Sequence, residues 1–342
     1  MCKTMRWQWC LSLIVMILLV GLIAPTAEAQ KPLKFVYVSA APIAGDDYWT
    51  MGKIGTELAG KKHGAEVEIL ECQRPEEGEE KLRAAARDGA TVIVVLAFEF
   101  HPFLANVASE FPDVQFLNVD QCPENPPANM YCAVFREHEA AFLLGAAAGL
   151  LTKTQQLGVI GAMDIPFLHR FTDVFAEGAK YVNPKAQVSV KWIGGDNPFN
   201  DQARAKELAK ELASAGADHI FSAGAMSDYG VFEAAKEQKF FAYGTEINKC
   251  PVAPGFIVEN MIKRVDVALT DSVDGILAGT SEHFKSYGLA SGGIGIVSLT
   301  SEHPEQSQCV ILEHPDVIER LREIQKKITS GEIAIHDPMQ AQ

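Results

Sequence analysis

Carboxylates and aromatic rings recur together in this 342-residue sequence where the chain would turn. Ala44-Gly45-Asp46-Asp47-Tyr48-Trp49-Thr50 sets a glycine, two acids and two aromatics just ahead of a helix-like run. Trp49 can stack on a flat ring there while Thr50 or Asp46 hydrogen-bonds its edge. Equally, Asp46 or Asp47 can cap the helix while Trp49 packs in the core. Phe98, in Ala97-Phe98-Glu99-Phe100-His101, is an aromatic beside a cleft or a core residue at a strand end. Asp120 ends an apolar run, and a carboxylate at such a tip faces a cleft more often than the core, because burying it unpaired is costly. Asp164 and Phe171 border the same kind of position, although Phe171 alone is simply another apolar helix residue. Glu246 follows Gly244-Thr245, and Lys263 lies in Glu259–Asp266, in a site or in solvent like most lysines.

Two aromatic walls, several carboxylates and one lysine suit a flat, polar, uncharged ring. Its faces stack, and its amine and ring N–H groups donate to the acids. Aromatic walls also stack on sugar faces, so a sugar, an amino acid or another small polar molecule stays open. A phosphate fits poorly with so many acids and no P-loop signature. The acids could act as general acid or base. With no nucleophile motif and no metal-binding spacing, however, no enzyme and no cofactor are expected.

These residues need a scaffold that brings loops together, and the chain alternates strand-like and helix-like segments throughout. Strands are expected near 35–38, 67–70, 92–96 and 114–119, with helices at 51–62, 76–88 and 102–110 between them. A Pro-rich connection and an Ala/Gly-rich helix from His138 to Leu151 lead to a second run of the same kind. It begins at Val159-Ile160-Gly161, a short apolar strand. Phe167, Phe171, Val174, Phe175 and Gly178 then share one helix face, and Asn183-Pro184 stops the helix. The alternation implies an α/β protein of two doubly wound parallel-sheet lobes. The expected division is 31–125 plus 255–290 for one lobe and 130–250 plus 291–335 for the other, joined by a multi-strand hinge suited to bending about a cleft. The long helix is expected from Met261 to Leu277. Ligands in such sheets bind beyond the carboxyl ends of the strands, where the acids and rings above fall.

The first residues read as a targeting segment. Lys3 and Arg6 precede an apolar run from Leu11 to Ile23, which is shorter than the roughly 20 residues a spanning helix needs. Ala27-Glu28-Ala29 marks cleavage of a signal peptide over 1–29. Cys2 and Cys10 precede the apolar run, so no lipid-attachment cysteine follows it, and a periplasmic protein is expected. About 310 residues of the 342 remain, enough for two domains. The net charge of −14 argues against nucleic-acid polymers and anionic membranes as partners. Cys72, Cys122, Cys132, Cys250 and Cys309 follow the signal, an odd number that leaves a thiol without an intramolecular partner. Cys122 and Cys132 flank a Pro- and Asn-rich loop and are expected to close it.

The stretch GAMDIPFLHRFTDVFAEGAKYVNP (161–184) resembles the Bmp/PnrA-type basic membrane lipoproteins, purine nucleoside or nucleobase receptors of ABC importers. The resemblance extends from about Phe35 to the terminal helix and is strongest at 158–184, 200–236 and 261–278. It implies the type I periplasmic-binding-protein fold, a purine ligand that also fits the acids and rings, and an ABC permease as partner, with the protein acting as a monomer. By the same resemblance Trp49 stacks on the base, Phe171 supplies the opposite wall, Phe98 lies near the cleft, and Asp120 accepts from ligand hydroxyls or amines. Lys263 matches the lysine of the family's S-x-x-K-R-V-D motif. Thr50 stands where the family often has Asn, and Glu246 where it usually has Asp. A module that senses the ligand for a membrane receptor would use the same residues.

Overall fold

The computed structural model describes residues 32–340; the expected signal segment lies outside the described residues. The first sheet grows from β1 (Lys34–Ser39), α1 (Asp47–His63), β2 (Glu66–Glu71), α2 (Gly78–Arg87), β3 (Val92–Leu96), α3 (His101–Glu110), β4 (Gln115–Asp120) and β5 (Met130–Phe135). The chain then crosses over through α4 (Glu137–Leu151) to β6 (Gln156–Gly161), α5 (Pro166–Val182), β7 (Gln187–Trp192), α6 (Gln202–Ser214), β8 (His219–Ala223), α7 (Asp228–Gln238), β9 (Phe241–Gly244) and β10 (Ile257–Lys263). It returns for α8 (Val265–Ala278) and β11 (Phe284–Tyr287), and crosses a last time to β12 (Ile294–Ile296), α9 (Val297–Thr300) and α10 (Pro315–Thr329). The two six-stranded sheets have the orders β11-β5-β4-β3-β1-β2 and β12-β10-β9-β8-β6-β7. All pairings are parallel except β10 with β12.

Local sequence explains these elements. Val92-Ile93-Val94-Val95-Leu96 is buried along its whole length, as a strand covered by helices on both faces must be. Asp46 caps α1: its Oδ1 accepts the N–H groups of Tyr48 (2.9 Å) and Trp49 (3.2 Å). Helices α4 and α5 meet backbone to backbone at their glycines. A Cβ on Gly145 would stand 2.0 Å from the Phe175 carbonyl oxygen, and one on Gly178 2.0 Å from that of Phe142. The Ala/Gly richness of α4 is thus the condition for its close packing.

The sheets move the expected lobe limits. β5 belongs to the first sheet, between β4 and β11, so the first lobe runs on past 125 to Phe135. β10 belongs to the second sheet, so residues 257–263 leave the expected 255–290 segment, and the following helix starts at Val265 instead of Met261. The β-branched Ile257, Val258 and Ile262 favour the extended state there. Three connections cross between the lobes, at Arg136, at Arg264 and through 288–293. They are tied together by Arg136 N–H to Tyr287 O (3.0 Å) and Arg264 N–H to Gly293 O (2.8 Å).

Cys122 and Cys132 form the expected disulfide, with Cα atoms 5.4 Å apart. A second joins Cys250 to Cys309 (Cα–Cα 5.0 Å), leaving Cys72 as a buried thiol. Among the described residues no helix is long and apolar enough to cross a membrane.

Candidate ligand-binding cleft

The carboxyl ends of β3, β4, β8, β9 and β10 converge on a cleft between the sheets, about 710 Å³ counted to its open mouth. The first lobe contributes Asp46, Tyr48, Trp49, Phe98, Glu99 and Asp120 to its wall. The second contributes Phe167, Phe171, Phe199 and Glu246, with Lys263 at the hinge side. The backbone is bent at these strand ends. Ala97 (φ 60°), Asp120 (φ 84°), Ala225 (φ 52°) and Glu246 (φ 77°) all occupy the left-handed region. That region is unfavourable for side chains other than glycine and clusters at functional sites.

Lys263 ends β10 and is buried. Its Nζ lies 2.7 Å from Asp120 Oδ1 and 3.3 Å from Glu137 Oε1, with the rings of Tyr48, Phe135, Phe167 and Phe171 at 5.5–5.9 Å. Burial alone would lower its pKa, but the two carboxylates outweigh burial and hold it well above the ordinary lysine value. The Tyr48 hydroxyl donates to the other Asp120 oxygen (3.0 Å). Behind the cleft the alternation of charge continues. Glu137 meets Arg170 Nη1 at 3.1 Å, and Arg170 grips Asp337 through Nε and Nη2, both at 2.7 Å. Complete burial pushes the Glu137 carboxyl up to about 7 against the pull of Lys263 and Arg170.

The floor on the second lobe is organised by Asp228 and Lys249, both fully buried. Asp228 accepts from the Gly224 N–H (2.9 Å), the Thr245 hydroxyl (3.1 Å) and Lys249 Nζ (3.1 Å). Lys249 also reaches Ala225 O (3.2 Å) and lies 3.8 Å from Glu246 Oε2. Asp228 and Lys249 are therefore scaffold that shapes two loops of the cleft. Burial pushes both Glu246 and Glu99 up to about 7, although Lys249 and Lys263 pull Glu246 the other way.

Of the residues singled out in the sequence, Asp46, Trp49, Phe98, Asp120, Phe171, Glu246 and Lys263 line the cleft. Asp46 and Trp49 fill both roles open to them: Asp46 caps α1, and Trp49 is 7% exposed yet forms part of the wall. Thr50 does not reach the cleft. It is not among the lining residues, and its hydroxyl donates to Ile43 O at 3.4 Å. Asp164 is also outside, exposed and 2.8 Å from His169 Nε2. Lys263 stands on a strand end and not on a helix, which explains its burial. Sequence reasoning missed Glu99, Glu137 and Lys249. Glu99 had a signal, an acid in the loop just past a strand, whereas Glu137 and Lys249 are recognisable only through partners far along the chain. Among the described residues no group of three or more His, Cys, Asp or Glu side chains is placed to hold a metal ion.

Comparison with known proteins agrees with this architecture. The chain is 26% identical over 366 residues to an uncharacterized lipoprotein of Pyrococcus abyssi, covering 96% of this chain and 91% of that one. It is 28% identical over 216 residues to basic membrane protein A2 of Borrelia garinii, covering 61% and 63%. A solved ABC-transporter solute-binding protein from Aeropyrum pernix K1 superposes with a TM-score of 0.76 at 23% identity, covering 90% of this chain and 94% of that one. One from Conexibacter woesei superposes at 0.71 and 20%, covering 90% and 100%. The two sheets and three crossovers are the type I periplasmic-binding-protein fold. The family model for "Bmp: ABC transporter substrate-binding protein PnrA-like" matches residues 33–338. The chain therefore belongs to the Bmp family of PnrA-like ABC-transporter substrate-binding proteins, extracytoplasmic proteins that bind a small solute for a membrane permease and catalyse no reaction.

Proposed function

We propose that the cleft binds a purine nucleoside or purine nucleobase and that the protein, as a monomer, passes it to an ABC permease in the inner membrane. The observation that carries this reading is the pairing of aromatic faces from both lobes with acids between them. Trp49, Tyr48 and Phe98 stand on one side and Phe171, Phe167 and Phe199 on the other. A flat heterocycle fills such a slot with both faces covered, and its N–H and hydroxyl groups have Asp46, Asp120 and Glu246 as acceptors. Lys263 pairs with Asp120 at 2.7 Å and draws the hinge side of the cleft together. Thr50 has no part in this set.

Closure needs a ligand that prefers the shut state. Beside the Lys263–Asp120 pair, Tyr229 O–H to Asp47 Oδ2 (2.8 Å) and the Phe98–Phe199 ring pair (6.4 Å between centroids) already span the lobes. A ligand held by both lobes adds to them.

A second reading is a binding or sensing module for another small polar molecule such as a sugar. Solved proteins sharing the fold include a glucose-galactose binding protein and an arabinose binding protein, both from Geobacillus stearothermophilus, at 16% and 15% identity. Aromatic faces and acids also suit sugar hydroxyls. Mass spectrometry of small molecules released by denaturing the purified protein separates the two. A purine supports the first reading and a sugar the second.

A further inference from the structure

Among the described residues, Glu99 and Asp46 are the acids of the cleft with no cation within ion-pair distance, and of the two only Asp46 caps a helix. Lys263 holds Asp120, Lys249 stands by Glu246, and Asp46 accepts two backbone N–H groups. Glu99 Oε2 accepts the Phe98 N–H (3.1 Å), which fixes the carboxyl at the wall. The charged groups that bear on it are Asp120 and Asp46, both acids. It lines both the inner cavity and the outer mouth, next to Phe98, whose ring meets Phe199 across the opening. A half-buried carboxylate beside rings and like charges is costly unless a donor reaches it. The protein offers it backbone N–H groups, its own and that of Phe98, and its carboxyl faces the cavity.

We infer that Glu99 is a ligand-contacting residue that sets specificity: it accepts a hydrogen bond from an amino group on the ring held between the aromatic walls, while Glu246 on the opposite lobe takes donors at the ligand's other end. This rests on the purine reading and names the edge that is read. The cleft then favours purines bearing an exocyclic amine. It rejects those that present a carbonyl oxygen, or nothing, to Glu99. Phe98 places the carboxyl at the base because the backbone bond that orients Glu99 belongs to the residue whose ring covers the base.

The acceptor works best ionised. Burial pushes Glu99 up to about 7, with Asp46 from the start of α1 and Asp120 from β4 facing it. Glu246, Lys249 and Lys263 stand on the second lobe of the same cleft. Affinity for an amine-bearing purine is therefore expected to rise from pH 6 to pH 8. Part of that rise belongs to Glu99 and part to Glu246, whose carboxyl burial also pushes up to about 7.

The test is calorimetric titration of the wild type and of Glu99→Gln with two pairs of ligands. Adenosine is compared with purine riboside, and guanosine with inosine; each pair differs by one exocyclic amine. The wild type is expected to prefer the amine-bearing member of at least one pair by about 10- to 100-fold, the range of a hydrogen bond to a charged group. Glu99→Gln should lose that preference, bind the amine-free member nearly as the wild type does, and show a shallower pH dependence. Glu99→Asp, which keeps the charge, should recover part of the preference. If the wild type binds a purine but Glu99→Gln keeps the same preference and pH profile, the Glu99 assignment falls and the purine reading stands. Equal losses for both members of a pair would make Glu99 structural. A wild type that binds none of the four removes the purine reading, and the assignment with it.

Discussion

Replacing Lys263 with methionine isolates the charge at the centre of the cleft while keeping the length of the side chain. The lysine lies 2.7 Å from Asp120 and 3.3 Å from Glu137, and all three side chains are buried. Removing one partner of a buried ion pair costs about 3–5 kcal/mol, because the remaining charge is left unpaired. Here two carboxylates would be left, with Arg170 still beside Glu137 at 3.1 Å. The loss has a ceiling, since one carboxyl can take up a proton. Glu137 is already held up to about 7 in the wild type, so the step that limits the loss is uptake of a proton by the aspartate of the pair. Keeping an aspartate protonated when its ordinary value is about 3.9 costs about 4 kcal/mol at pH 7 and about 1.5 kcal/mol at pH 5. Lys263→Met is therefore expected to lose about 3–4 kcal/mol of stability at pH 7 and about 1.5 kcal/mol at pH 5. Urea unfolding followed by tryptophan fluorescence at the two pH values measures both. A loss under about 1 kcal/mol at pH 7, or the same loss at both pH values, would refute the reasoning.

Trp49→Ala should weaken ligand binding by about 2–4 kcal/mol, as loss of a central aromatic contact does. Thr50→Val should leave binding within error in the same calorimeter, because that hydroxyl is turned to Ile43. Gly178→Ala should cost more than about 2 kcal/mol in urea unfolding, because its Cβ would meet the Phe142 backbone oxygen at 2.0 Å and a backbone cannot give way cheaply. Replacing both cysteines of the Cys250–Cys309 pair by serine should cost about 4 kcal/mol, against about 3 kcal/mol for Cys122–Cys132, since the closed loops span 59 and 10 residues. Equal losses would place the effect outside chain entropy. Burial holds Glu99, Glu137, Glu246 and Glu259 up to about 7 in the fold, against 4.5 ordinarily. A carboxyl raised on folding contributes stability that is full below its unfolded value and lost as pH rises through its folded value. The ligand-free protein should therefore melt at a higher temperature near pH 5 than at pH 8, and the reverse order would contradict this.

Much of the scaffold was legible because parallel strands covered on both faces must be apolar throughout. Val92–Leu96 could hardly be anything else, and Asp120 stood out as an acid directly after such a run. Met130–Phe135 was passed over because proline and asparagine dominate the residues before it. The Lys263 segment looked helical because isoleucine, valine and methionine fit either period over seven residues, and only pairing with β9 and β12 decides between them. The tight approach of α4 and α5 was foreshadowed by the glycines and alanines of α4. What the sequence hid was charge pairing across the fold. Glu137 has no local mark of its partnership with Lys263 and Arg170, and Lys249 looks like any surface lysine. The left-handed turns at Ala97, Asp120, Ala225 and Glu246 were equally hidden, since glycine is the residue that advertises such a backbone. Those turns aim the cleft residues, so which residues line the cleft was easier to read than their geometry.

The central claim is that the interlobe cleft is a purine site. Calorimetric titration of ligand-free protein, prepared by unfolding, dialysis and refolding, with adenosine, guanosine, adenine, arabinose and glucose tests it most directly. The account predicts saturable one-to-one binding of at least one purine, lost in Trp49→Ala, and no binding of either sugar. Saturable binding of a sugar with no response to any purine would contradict it.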